Sequence, residues 1–150
     1  MPHFGIEVRE ASEQDADALA RLCTQLGYPA SAADMPERLE RLQTDPNARA
    51  LVAVDSGSVV GLATVHVRDV INHAVPIAQL TLLVVDDRAR GRGVGRALVE
   101  RAESWARERG ARRMAVTTAL DRAGAHAFYE RIGYTHTGRR YARIFPPPAP

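Results

Sequence analysis

A glycine-rich turn flanked by arginines is the part of this 150-residue chain whose residue types point most directly to chemistry. The stretch "RARGRGVGRALVERAESWARERG" covers residues 88–110 and places Gly91, Gly93 and Gly95 at every second position, before a helical pattern. The first N–H groups of a helix lack internal partners and lie at its positive dipole end, and glycines let a backbone approach an anion closely. The stretch predicts a phosphate-binding turn, with a purely structural glycine turn as the alternative.

The charge distribution supports an anionic ligand on the C-terminal half of the chain. Residues 1–87 hold 6 arginines and 13 acids, a net charge of −7, whereas residues 88–150 hold 14 arginines and 5 acids, a net charge of +9. The chain has no lysine, so the positive charge is all guanidinium, which suits bidentate contact with phosphate. A genome-wide codon bias would explain the missing lysine but not the clustering of arginines in one half.

The elements that must position this turn follow from the periodicity of apolar residues. Ser12 followed by Asp15 resembles a capping box and predicts a helix to about Leu26, and Asp34 with Pro36 predicts the start of a second. Two more helices are predicted over 93–109 and 122–133. Strands are predicted over 4–10, 48–54, 59–67, 76–85 and 112–118, and "YTHTG" with "RYARIF" predict a final hairpin.

The resulting order, β-α-α-β-β-β-α-β-α-β-β, predicts an α/β fold with a mixed sheet. The strand–helix–strand crossover over 80–117 requires parallel neighbours, and the hairpin over 49–67 requires antiparallel ones. We expect one domain over residues 1–145 and a disordered, proline-rich tail over 146–150. The strand over 76–85 is apolar almost throughout, which favours a central position in the sheet.

Composition excludes several classes of protein. No apolar run approaches the about 20 residues that span a bilayer, and the N-terminus lacks the pattern of a signal peptide, so we expect a cytoplasmic protein without a membrane partner. The lone Cys23 cannot form an intrachain disulfide and is expected to be an apolar filler. The five histidines are scattered, so no metal is expected.

Three phosphate-binding motifs compete for the glycine-rich turn. A P-loop needs a lysine that the chain lacks, and a dinucleotide fingerprint fails because Arg96 occupies its third glycine position. Residues 90–95, RGRGVG, match (Q/R)xxGx(G/A), and "AHAFYERIGY" (125–134) matches AxxxYxxxG(F/Y). These two motifs, with "LLVVDDRA" before them and the long helix between them, resemble the GNAT superfamily of acyl-CoA N-acyltransferases. The resemblance follows element order along the whole chain and is specific from Leu80 to Tyr134.

The resemblance implies a binding site for acetyl-CoA. The pyrophosphate would bind the N–H groups of Arg92 to Arg96, and one of Arg88, Arg90 or Arg92 would reach the 3′-phosphate. The pantetheine arm would pair with β-strand backbone, which would place the acetyl carbonyl near the N–H of Val84. The cofactor-binding residues that it implies are Leu83, Val84, Val85, Arg90, Gly91, Arg92, Gly93, Val94, Gly95 and Arg96.

The resemblance also assigns proton-transfer roles, one of which this chain fills and one of which it does not. Tyr129 occupies the family's tyrosine position and is expected to protonate the leaving thiolate, since Phe128 and Ile132 already give its helix an apolar face; a core tyrosine is the alternative. Many members place a glutamate near the positions of Thr81 and Leu82, where this chain has no acid. The general base is left open: Gln79, His66 or His73 would hold a water that takes the proton, or the amine would lose its proton to bulk solvent. Arg122 also departs from the family's usual asparagine.

The predicted function is direct acetyl transfer from acetyl-CoA to the primary amine of a small cationic acceptor. Acidic residues of the N-terminal half would attract such a cation or form a solvated helix face; they are Asp34, Glu37, Glu40 and Asp45. The alternatives are acetylation of a protein N-terminus or lysine, and, in another class, a non-catalytic acetyl-CoA sensor. Nucleic-acid binding is disfavoured because aromatic residues are few and glutamates interleave the arginines. A homodimer is left open.

Overall fold

The computed structural model describes residues 5–117 and 123–149, which form two compact units divided between Val116 and Thr117. The first unit contains a five-stranded sheet and three helices, and the second contains one helix. The mixed α/β class and the order of elements from the first strand to the last helix are as predicted. The limits predicted for the domain and its tail stay a prediction.

The N-terminal segment builds the layer that covers one face of the sheet. Strand β1 (Ile6–Glu10) leads through a 3-10 turn into α1 (Ala16–Leu26), and α2 (Met35–Gln43) follows. The backbone N–H of Ser12 donates to Asp15 Oδ2 at 2.9 Å, as a capping box requires, and Arg9 donates to both oxygens of the same carboxylate. The left-handed Gly27, at φ 104°, ends α1. Burial raises the pKa of the Cys23 thiol, which packs against this layer as expected of an apolar filler.

The sheet has the order β1-β2-β3-β4-β5, with four further strands at Ala48–Asp55 (β2), Ser58–Arg68 (β3), Ile77–Val85 (β4) and Met114–Val116 (β5). The first three pairings are antiparallel and the last, β4 with β5, is parallel, as the predicted crossover requires. Strand β5 is much shorter than β4 and pairs only with its residues 78–80. The two strands are therefore joined at one end of β4 and not at the other.

Helix α3 (Val94–Glu108) packs on the opposite face of the sheet from α1 and α2. The buried Val52, Leu62 and Val84 belong to the core beneath α1 and α2. On the other face, a Cβ added to Gly61 would lie 2.9 Å from side-chain atoms of Leu98 and Val94, so only glycine allows α3 to approach β3 this closely. The C-terminal half of β4 is thus covered by α1 and α2 on one face and by α3 on the other, which explains its apolar sequence.

The second unit differs from its prediction. Helix α4 (Ala123–Arg131) lies within the predicted range and ends at a left-handed Gly133, but the described residues 134–149 contain no strand, so the predicted final hairpin is wrong. A hairpin needs a buried face, and Tyr141, Ile144 and Phe145 are 80% exposed or more. The prolines that follow cannot donate to a strand ladder. Arg122 lies outside the described residues.

Within the described parts of the chain, no helix has both the length and the apolar character needed to cross a membrane.

Candidate active site

The turn between β4 and α3 has the backbone geometry of an anion site. Gly91 and Gly93 both have positive φ, 81° and 82°, a conformation that other residues rarely adopt. The first α-helical hydrogen bond runs from the N–H of Ala97 to the carbonyl of Gly93, at 3.0 Å. The N–H groups of Val94, Gly95 and Arg96 therefore have no acceptor within the helix and lie at its positive end.

Each arginine of this turn has a carboxylate partner. Arg88 pairs with Asp86, Arg90 with Asp87, Arg92 with Asp55 and Arg96 with Glu100, at N–O distances between 2.9 and 3.4 Å. All four guanidinium groups are more than half exposed, so these ion pairs contribute little to stability. The arginines can exchange these partners for a phosphate at small cost.

Asp86 organises the start of the turn, a role that the sequence did not indicate. Its carboxylate is buried and accepts the N–H of Arg88 at 3.0 Å. This hydrogen bond, reinforced by the guanidinium groups of Arg88 and Arg21, holds the pKa of the Asp86 carboxyl below its usual range. A charged Asp86 therefore links the end of β4 to α1 through Arg21, at 3.5 Å.

The backbone of β4 presents peptide groups on the side away from β3. The N–H of Asp86 bonds the carbonyl of Val60, and antiparallel pairing alternates, so Val84 and Leu82 direct their groups into β3 while Leu83 and Val85 direct theirs outward. Among the described residues, no strand pairs with 81–85 on that outer side. The carbonyl of Val85 accepts the Gln25 amide at 2.8 Å. Leu83 and Val85, rather than Val84, have outward N–H groups.

A cluster of polar side chains lies at the middle of β4, beside an irregularity in its pairing. The register with β3 shifts between Thr64 and Val65, which leaves Thr81 as an extra residue on β4. Thr64 Oγ1 and Thr81 Oγ1 are 2.6 Å apart, and His66 Nδ1 lies 3.2 Å from Thr81 Oγ1. Threonine thus stands where the family resemblance leads one to expect a glutamate, and a histidine contacts it.

The other two candidate bases have different surroundings. Arg68 donates to Gln79 Oε1, and a neutral amide cannot accept a proton at neutral pH. His73 is exposed in the loop between β3 and β4, where its backbone N–H closes a turn on Val70. Of the two histidines, His66 is the one that is part-buried and held by a hydrogen bond.

The structure separates the four acidic residues singled out in the sequence. Glu37 and Glu40 are exposed on α2, and Asp34 accepts the N–H of Ser31 at 2.8 Å, which lowers the pKa of its carboxyl. These three fit the solvated-face alternative. Asp45, after α2, instead lines an open pocket of about 450 Å³ together with His66, Arg68 and Thr81.

Tyr129 lies on α4 in the second unit and is 8% exposed, so the expectation that Phe128 and Ile132 would form the apolar face and free Tyr129 is wrong. Its ring packs edge-on against Phe128 at 5.2 Å between centroids and lies 5.8 Å from the ring of Tyr134. Burial raises the pKa of Tyr129 to about 12. The phenol is therefore protonated at neutral pH and able to donate.

Comparisons with known proteins agree with this architecture. The model of the acetyltransferase (GNAT) family matches residues 14–134. The aminoalkylphosphonate N-acetyltransferase of Salmonella typhimurium is 32% identical over 142 residues, covering 91% of this chain and 90% of that protein. An aminoglycoside N(6′)-acetyltransferase of Stenotrophomonas maltophilia is 32% identical over 136 residues, covering 88% of each.

Solved structures share the fold at lower identity. Aminoglycoside N-acetyltransferase AAC(6′)-Iy, in complex with CoA, superposes with a TM-score of 0.82 at 20% identity over 93% of this chain and 94% of that one. A transcriptional regulator from Bacillus halodurans superposes with a TM-score of 0.84 at 24% identity over 93% and 99%. The family match over most of the chain and the two relatives above 30% identity decide the assignment: the chain belongs to the acetyltransferase (GNAT) family and is an N-acetyltransferase.

Proposed function

We propose that this protein transfers the acetyl group of acetyl-CoA directly to the primary amine of a small cationic acceptor. One observation carries the cofactor part of the proposal. Strand β4 directs backbone groups outward at Leu83 and Val85 and continues into a turn with two left-handed glycines and the free N–H groups of α3. The chain thus offers, in direct succession, a peptide edge and an anion site, which match the amide-containing arm and the pyrophosphate of coenzyme A.

The phosphates bind the turn and its arginines. The pyrophosphate accepts hydrogen bonds from the N–H groups between Arg92 and Arg96, and Gly91, Gly93 and Gly95 leave room for it. One of Arg88, Arg90 or Arg92, whose side chains are all exposed, binds the 3′-phosphate and exchanges its carboxylate partner for a more highly charged one.

The pantetheine arm pairs with the outward groups of β4. Its amides bond Leu83 and Val85 as an added strand would, and one of those N–H groups stabilises the oxyanion that develops on the acetyl carbonyl. The Gln25 amide already occupies the carbonyl of Val85, so α1 fixes the end of this edge before the cofactor binds.

Tyr129 is the general acid for the leaving thiolate. Burial raises its pKa to about 12, so the phenol is protonated at neutral pH and can donate as negative charge develops on the sulfur of coenzyme A. This role rests on its position in the AHAFYERIGY motif and on its protonation state.

The acceptor is proposed from two lines of support. Two relatives at 32% identity are named for the acetylation of aminoalkylphosphonates and aminoglycosides, which are small amines. The pocket beside Thr81 has two carboxylates in its lining, Asp45 and Asp69, against one guanidinium, that of Arg68, so the excess of negative charge favours a cation. A cytoplasmic location, catalysis without a metal and a homodimer stay predictions.

The proposal is tested by measuring thiol release from acetyl-CoA with a panel of amines. The panel contains an aminoalkylphosphonate, an aminoglycoside, a polyamine and a peptide with a free N-terminus and a lysine. We expect release with at least one small amine at a rate well above that with the peptide, and a mass gain of one acetyl group on the amine. Faster release with the peptide would move the acceptor class to proteins.

A further inference from the structure

The sheet face that carries α1 and α2 changes from apolar to polar along β3. Leu62 lies in the core under α1 and α2, and Thr64, His66 and Arg68 follow it at alternate positions, so their side chains lie on the same face. Across from them, β4 carries Thr81 at the irregularity in its pairing. This face of the sheet is thus polar beyond the part that α1 and α2 cover.

The hydrogen bonds around Thr81 can all be made if the imidazole proton of His66 lies on Nδ1. Thr81 Oγ1 donates to the Thr64 carbonyl at 3.2 Å, so the same oxygen is free to accept from the Thr64 hydroxyl at 2.6 Å and from His66 Nδ1 at 3.2 Å. This assignment satisfies all three contacts with one proton on each donor. It places the imidazole proton on Nδ1 and leaves the lone pair on Nε2.

The surroundings of His66 keep the ring neutral. Burial lowers the pKa of His66 below its usual range; Asp45 opposes that shift and Arg68 adds to it. Asp69 and Asn47 complete the polar lining of the pocket of about 450 Å³ into which this region opens. A pocket that holds both carboxylates and a neutral imidazole suits a cation that must lose a proton.

We propose that His66 is the general base of the acetyl transfer, accepting at Nε2 a proton from an ammonium acceptor held in the pocket beside Asp45 and Asp69. This inference rests on the proposed function and supplies the base for which β4 has no carboxylate. Thr81 is a positioning residue, since it acts by holding Nδ1 of the ring.

The proposed step balances as follows. One proton passes from the R–NH3⁺ acceptor to His66, and the nitrogen lone pair of R–NH2 forms a bond to the acetyl carbon. The carbon–sulfur bond then breaks, and the thiolate takes a proton from Tyr129, which regains one from solvent. The second N–H proton and the His66 proton leave to solvent, so the products are the amide, the free thiol and one released proton.

The test compares His66→Gln with a matched histidine variant, His73→Gln, using the amine that the wild-type protein acetylates. We expect His66→Gln to lower kcat/KM at least tenfold while the increase in melting temperature caused by acetyl-CoA stays as in the wild type. The wild-type profile of kcat/KM should fall as the pH drops below neutrality, because His66 becomes protonated, and this limb should disappear in the variant. His73→Gln should match the wild type throughout.

Two further measurements keep the assignment falsifiable. Thr81→Val should lower kcat/KM and Thr81→Ser should restore it, because serine keeps the hydroxyl. In the 15N NMR spectrum of the wild-type protein, Nδ1 of neutral His66 should carry the proton. A proton on Nε2, or an active His66→Gln with an unchanged pH limb, overturns the assignment and leaves the acetyltransferase proposal intact. A wild-type protein inactive with every amine overturns both.

Discussion

The two halves of β4 differ in the ligand that each is proposed to bind and in the groups that would bind it. At the C-terminal end, from Leu83 into α3, the candidate cofactor site consists of backbone groups placed by Gly91 and Gly93. In the N-terminal half, which reaches to Thr81 at the middle of the strand, the candidate acceptor pocket consists of side chains from several segments of the chain, His66 among them. The cofactor site depends on the backbone conformation at its glycines, whereas the acceptor pocket depends on side chains from separate segments coming together. The two sites should therefore respond differently to substitution.

The largest expected effect is at the C-terminal end. Gly93→Asp should abolish the rise in melting temperature that acetyl-CoA causes, because a negative side chain would stand where the pyrophosphate binds. Gly93→Ala should cost about 1–2 kcal/mol of stability through the left-handed backbone but retain part of the shift. Gly138→Asp is the control, since that glycine is exposed and no atom lies near its Cβ position. Equal shifts in all four proteins would contradict the site.

Tyr129→Phe should lower kcat at least tenfold while leaving acetyl-CoA affinity nearly unchanged, because general acid catalysis typically contributes about 10²–10⁴-fold. The ring is kept, so the melting temperature should change by a few degrees at most. Tyr141→Phe, at an exposed tyrosine, should behave as the wild type in the same steady-state assay. Full kcat with lowered stability in Tyr129→Phe would identify a core tyrosine instead.

Coenzyme A should bind about tenfold or more tightly than dephospho-coenzyme A, which lacks the 3′-phosphate. One charge-assisted hydrogen bond contributes about 1.5–3 kcal/mol, and Arg88, Arg90 and Arg92 are exposed enough to change partners. Calorimetry of the wild type with both ligands measures the difference. Substituting each arginine by glutamine should remove the preference in one variant only. Equal affinities for the two ligands would show that these arginines do not bind the 3′-phosphate and only form ion pairs with carboxylates of the protein.

The smallest effect is expected at the contact between α1 and the cofactor edge. Gln25→Ala removes the amide that bonds the Val85 carbonyl at 2.8 Å and accepts the Asp87 N–H at 3.2 Å, so the edge and the start of the turn lose a shared anchor. Acetyl-CoA affinity should fall several-fold, in line with about 1 kcal/mol for a hydrogen bond. Gln14→Ala, at an exposed position, should leave it unchanged. An unaffected Gln25→Ala would show that the edge is rigid without α1.

The same contrast explains what the sequence could predict. Glycines that require positive φ are visible in a sequence, and so is the apolar run of a strand covered on both faces, so the fold class and the glycine-rich turn followed from the residues. The contact between His66 and Thr81 depends on one extra residue in the pairing of β4, and no local pattern encodes it. The prediction of a final hairpin was wrong because the apolar residues of that segment are exposed instead of packing on a buried face. Tyr129 was expected to be free, although it is the most buried residue of 124–133.

The most direct test of the division between the two sites is calorimetric titration of acetyl-CoA into the wild type, His66→Gln and Gly93→Asp, with turnover measured on the same samples. We predict that His66→Gln binds acetyl-CoA with wild-type affinity and turns over at least tenfold more slowly, while Gly93→Asp fails to bind. Loss of acetyl-CoA affinity in His66→Gln, or wild-type affinity in a folded Gly93→Asp, would contradict the account.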